Sequence, residues 1–137
     1  MLKLFKRLDH VGILVEDLDR SVARYEALFG VRCESIETLE DLEVRIAHLP
    51  IGETEIELAE PVGSSERLRG HLRSHGEGFH HLAFRVDSLT KCLSRLEQAG
   101  IRMRDREPRP GSDGSLVAFI DPEETDRVLI ELVEKNE

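Results

Sequence analysis

Two histidines and two glutamates stand out because the chain places each kind twice, at matching positions. Sliding the sequence by 71 residues lays DHVGILVEDLDRSVARYEAL, starting at Asp9, on HHLAFRVDSLTKCLSRLEQA, starting at His80, and brings His10 onto His81. An offset of 74 brings Ile56-Glu57-Leu58 onto Ile130-Glu131-Leu132. Imidazole nitrogen and carboxylate oxygen together suit a borderline or hard divalent ion such as Co, Mn, Zn, Ni or Fe(II), and four such ligands leave octahedral positions for water or substrate. A lone histidine in a strand is ordinarily a satisfied polar residue, and a Glu between Ile and Leu is often the wet side of an edge strand. A pure surface pattern has no reason to recur at equivalent sites, so His10, Glu57, His81 and Glu131 read as one metal-ligand set.

The elements that must position these residues repeat as well. LDHVGILV alternates with period two, so Val11, Ile13 and Val15 share one strand face while His10, Gly12 and Leu14 share the other. Asp17 reads as a helix N-cap, with Leu18, Val22, Tyr25 and Phe29 forming an apolar stripe that stops at Gly30. In the second copy the cap is Ser88, the stripe Leu89, Leu93 and Leu96, and the stop Gly100. Three strands are expected after each helix, near 31–38, 42–49 and 54–60, then near 101–106, 115–120 and 127–134. The pattern predicts an α+β fold of two tandem βαβββ modules, about 5–60 and 78–134, in a single domain over 1–137. Each module's sheet has one face covered by its own helix, so the pair is expected to form a curved mixed sheet around a metal-binding trough. A linker over 61–77 can hold a short helix in SERLRGHLRSHG.

Other polar residues carry weaker signals. His71 and His75 are spaced i, i+4 in an Arg-rich segment with no Glu at the usual place, which reads as a solvated linker helix. His80 is the counterpart of Asp9 and must face away from His81 in a regular strand. His48 receives no role. Arg102, Arg104, Arg106 and Arg109 alternate with acidic residues, as a solvated strand edge would.

Composition narrows the function classes. The 137 residues are 39% hydrophobic and 34% charged, which suits one folded domain with a real core. A net charge of −9 and only 4% aromatic residues argue against nucleic acid and anionic lipid as partners. No apolar run approaches the roughly 20 residues a membrane helix needs, and no secretory signal is recognisable, so a cytoplasmic location is expected. Cys33 and Cys92 lie far apart and outside any Cys-x-x-Cys pattern, and are read as free thiols.

The doubled βαβββ pattern, the openings LDHVGILVEDLDRSVARYEALFG and GFHHLAFRVDSL, and the endings GETEIELAEP and VLIEL resemble the vicinal oxygen chelate superfamily of glyoxalase I, extradiol dioxygenases and fosfomycin resistance proteins. The resemblance covers nearly the whole chain and is nearest to methylmalonyl-CoA epimerases. It implies metal ligands at His10, Glu57, His81 and Glu131, the set already given by the repeat. It also implies a metal-dependent epimerase of a 2-substituted acyl-CoA, methylmalonyl-CoA first, acting through an enolate, with a homodimer as the usual assembly. Glu131 would be one acid/base. Some epimerases carry a second catalytic Glu in the strand matching EVRIAHLP, where ungapped matching puts Ile46; Glu43, three residues earlier, becomes the candidate after a register shift. The alternatives are a glyoxalase I type lactoylglutathione lyase acting on a thiol conjugate, or a ligand-binding member without chemistry. The chain departs from the epimerase pattern at Gly111-Ser112-Asp113-Gly114 and Asp121-Pro122-Glu123, where acid replaces base.

Overall fold

The computed structural model describes residues 3–136. In chain order the elements are β1 (Arg7–Leu14), α1 (Leu18–Phe29), β2 (Ser35–Leu39), β3 (Val44–Ile51), β4 (Thr54–Pro61), α2 (Glu66–His75), β5 (Gly78–Arg85), α3 (Leu89–Gln98), β6 (Arg109–Pro110), β7 (Leu116–Phe119) and β8 (Ile130–Glu134), with 3-10 turns at Ser112–Gly114 and Pro122–Thr125. The order β-α-β-β-β thus occurs twice, with α2 between the copies. Two compact units result, one formed by Val11–His80 and the other by the residues up to His10 together with those from His81 onward.

In the Val11–His80 unit the strand order is β2-β3-β4-β1. β2, β3 and β4 pair antiparallel. The Asp17 carboxylate accepts the Arg20 amide at 3.1 Å and starts α1. Gly30, at φ 68°, ends it with its N–H on the Glu26 carbonyl. Leu18 and Val22 bury against Ala47 and Leu49 of β3 and Leu58 of β4, with Ile13 and Tyr25 beside them. The apolar stripe ends at Tyr25: Phe29 is 67% exposed and sets its ring edge on Tyr25 instead of on the core.

In the other unit the order is β1-β5-β8-β7-β6. Here β5 runs parallel to β8, while β7 is antiparallel to both β8 and β6, so the pairing is mixed. Ser88 caps α3 through the Lys91 amide. Leu89 and Cys92 of that helix pack with Val86, Ala118, Ile120 and Leu132. The opposite face of these strands holds Ala83, Val117 and Val133.

The strand expected near 101–106 is absent. Met103 makes an isolated bridge to Ile120, and the edge strand is the two-residue β6. The amides of Arg104 and Asp105 both reach the Phe119 carbonyl, at 2.9 and 3.1 Å, while an Asp105 carboxylate oxygen takes the Phe119 amide. A side chain has replaced a backbone ladder there, which ends the regular pairing. Among the described residues no helix is long and apolar enough to cross a membrane.

Candidate metal centre

Three of the residues singled out by the repeat come together within one unit. In β8, Leu132 points into the core under α3, so period-two alternation sends Glu131 to the other face. Glu131 stands opposite Ala83 in the β5–β8 register, and His81 precedes Ala83 by two residues on that same face. His10 comes from β1. The two Nε2 atoms lie 3.1 Å apart. Glu131 Oε1 is 3.1 Å from His10 Nε2 and 3.4 Å from His81 Nε2. His10 and Glu131 are buried, and the Phe119 ring meets His81 edge to face at 5.4 Å.

This donor set fits a divalent ion. Among the described residues Glu131 Oε1 is the buried side-chain oxygen left without a well-aligned hydrogen bond, and it faces two imidazole nitrogens. An uncompensated buried carboxylate is costly. A cation shared by the three groups would remove that cost, and the two-nitrogen, one-oxygen chemistry is that of common transition-metal sites. His10, His81 and Glu131 form one of the groups whose ligand atoms approach closely enough to share an ion. Burial pushes the Glu131 carboxyl up, but His10 and His81 outweigh it and hold it down at about 2.

Behind His10 lies Asp9, also buried. Its Oδ2 is 2.7 Å from His10 Nδ1, and its Oδ1 accepts from Arg85 Nε at 2.9 Å and Nη2 at 2.7 Å. Lys135 Nζ is 3.5 Å from Oδ2. Although burial opposes ionisation of Asp9, these cationic and donor partners hold its carboxyl well below the usual range.

Glu57, the fourth residue of the set, belongs to the other unit. It is buried on β4 directly opposite His48 of β3, with Oε2 3.7 Å from His48 Nδ1. His48, which the sequence left without a role, is buried between carboxylates: Glu55 Oε1 lies 2.7 Å from Nδ1 and Glu37 Oε2 lies 2.6 Å from Nε2. Burial lowers the affinity of His48 for its proton, yet Glu55, Glu57 and Glu37 together raise its pKa from 6.5 to about 9. The missed signal was the hairpin. Its turn is Gly52-Glu53, and pairing counted outward from Ile51 and Thr54 puts His48 across from Glu57.

Glu43 joins none of these groups. It occupies the turn before β3 with φ 50°, and its carboxylate lies beside Gly63. His48 lies five positions further along the chain, about 16 Å at the usual strand rise. His71 and His75 stack on α2, and the His80 ring meets His71 edge to face at 4.9 Å. Arg102 is exposed beside Asp121 and Glu124, as a solvated edge residue would be.

Residues 9–119 match the family model described as Glyoxalase/Bleomycin resistance protein/Dioxygenase superfamily. The chain belongs to this superfamily. It is 31% identical to the mitochondrial methylmalonyl-CoA epimerase of Homo sapiens, over 92% of this chain and 72% of that one. It is likewise 31% identical to the ethylmalonyl-CoA/methylmalonyl-CoA epimerase of Cereibacter sphaeroides, over 92% and 96%. A variant of the Streptomyces coelicolor methylmalonyl-CoA epimerase, solved in complex with 2-nitronate-propionyl-CoA, superposes with a TM-score of 0.91 at 34% identity, covering 96% of this chain and 95% of that one. Within the superfamily the chain is therefore an epimerase-like isomerase, and its α+β fold of two βαβββ modules is that of the solved epimerases.

Proposed function

We propose that the protein is a divalent-metal-dependent epimerase of a 2-substituted acyl-CoA, with methylmalonyl-CoA as the first substrate, acting through an enolate. The observation that carries this reading is the convergence of His10 Nε2 and His81 Nε2 on the buried, poorly satisfied Glu131 Oε1. Relatives named for epimerisation of methylmalonyl-CoA and ethylmalonyl-CoA support the substrate class.

His10, His81 and Glu131 would hold the ion, with Glu57 as a fourth ligand on the strength of the repeated Ile-Glu-Leu. A divalent ion there supplies positive charge where a thioester oxygen gains negative charge as the α proton leaves. Glu131 is ionised at neutral pH and is one acid/base, taking the α proton and returning it. Inversion needs a second group on the opposite face of the carbon. Glu43 is the candidate that the epimerase resemblance implies.

The test is elemental analysis of protein purified without chelator, beside interconversion of the two methylmalonyl-CoA epimers. Bound divalent metal, loss of both metal and turnover in His81→Ala with the fold retained, and recovery of stripped wild-type enzyme on adding Co²⁺ are expected. Metal-free protein that neither binds Co²⁺ nor interconverts the epimers would overturn the reading. Turnover of methylglyoxal and glutathione in place of the thioester would replace it with the lyase reading. For Glu43, Glu43→Gln should abolish α-proton exchange from one epimer only; full retention removes Glu43 from the mechanism.

A further inference from the structure

We infer that Asp9 is a positioning residue for His10: a buried carboxylate, pinned by Arg85 and Lys135, that holds the imidazole with Nε2 turned toward His81 and Glu131. The inference rests on the metal-centre reading above and adds to it the group that orients one of the ligands.

Donors and acceptors set the tautomer of His10. An ionised carboxylate can only accept, so in the 2.7 Å contact Nδ1 carries the hydrogen and donates to Asp9 Oδ2. That leaves Nε2 as the nitrogen facing Glu131 Oε1 and His81 Nε2, each 3.1 Å away. A flip of the ring would break the 2.7 Å bond between Nδ1 and the buried Asp9 carboxylate. The carboxylate is itself fixed. The Arg85 fork reaches Oδ1 through two nitrogens, and Lys135 adds a third cationic contact on Oδ2.

The pin also gathers the chain segments that carry the ligands. Arg85 follows His81 by four residues on β5, and Lys135 follows Glu131 by four just beyond β8. Asp9 precedes His10 directly. One buried carboxylate is thus bonded or ion-paired to all three ligand-bearing segments. The repeat puts His80 where Asp9 stands, and that ring lies against His71. Outer partners of metal-bound histidines fix ring orientation and raise ligand basicity, and their loss costs roughly 10- to 100-fold in metal affinity.

The experiment is a Co²⁺ titration of metal-stripped protein, followed by the visible absorption of the bound ion, on wild type, His10→Ala, Asp9→Asn and the double variant Asp9→Asn/Arg85→Gln. The double variant avoids leaving a buried, unpaired guanidinium. Co²⁺ affinity about 10- to 100-fold weaker than wild type is expected in whichever Asp9 variant folds, with its metal-free circular dichroism unchanged. A folded Asp9 variant that binds Co²⁺ within twofold of wild type, even with a lower melting temperature, would make Asp9 merely structural and overturn the inference. If His10→Ala loses Co²⁺ while the Asp9 variants keep it, the inference alone fails. If wild type takes up no Co²⁺, or His10→Ala binds as tightly as wild type, the metal-centre reading fails and this one with it. Should neither Asp9 variant fold, the Zn²⁺-loaded wild type decides by long-range ¹H–¹⁵N correlation. A slowly exchanging, downfield His10 Nδ1 proton supports the pin, and a proton on Nε2 instead overturns it.

Discussion

Glu131 meets two demands that usually conflict, since it must be buried and must stay ionised. Two imidazoles within 3.4 Å make that possible and leave its Oε1 suited to an ion. Replacing it with Gln keeps the shape and removes the charge, so Glu131→Gln should lower the rate of α-proton exchange in a methylmalonyl thioester by at least about 100-fold, the usual scale for a positioned acid/base. A rate within threefold of wild type would show that another group moves the proton. The sequence singled out His10, His81, Glu57 and Glu131 because duplication places one His and one Glu of this kind in each half. Asp9, Arg85 and Lys135 were not. Asp9 and Arg85 are 76 residues apart, and no local pattern announces an ion pair closed across that distance.

At the scale of elements, the β3–β4 hairpin explains how His48 is trapped. A two-residue turn at Gly52-Glu53 sets Ile51 opposite Thr54, and every later pair follows from it. The consequence is measurable as a pH dependence. His48 holds its proton more tightly folded than unfolded, with a pKa raised from 6.5 to about 9. Its stabilising contribution is therefore fully present below about pH 6.5 and is lost as pH rises through about 9. Urea unfolding of chelator-treated protein should show stability falling across that window, and His48→Gln should flatten the fall; equal slopes in the two proteins would contradict the assignment. Helix starts were legible because capping is local: Asp17→Ala should cost about 1 kcal/mol by the same unfolding measurement. The missing strand near 101–106 was not legible, since its fate turns on Asp105 reaching the amide of Phe119, fourteen residues away.

At the scale of the whole molecule, each βαβββ copy brings its own core. Leu58 and Leu132 are the repeat-equivalent neighbours of Glu57 and Glu131, and both are fully buried in their respective clusters. Truncating either to Ala should cost about 2–5 kcal/mol in chemical denaturation, and a cost below about 1 kcal/mol would show that the site is not packed as described. The repeat made this architecture legible from one sequence, because a pattern that changes period at the same place twice constrains both copies. The central claim is that a divalent ion at His10, His81 and Glu131 enables removal of a proton next to a thioester. It is tested most directly by incubating methylmalonyl-CoA in D₂O with metal-loaded and metal-stripped enzyme and reading the mass of the thioester. One deuterium gained at the α carbon with the loaded enzyme, and none above background with the stripped enzyme, is the predicted result; equal exchange with both, or none with either, would contradict it.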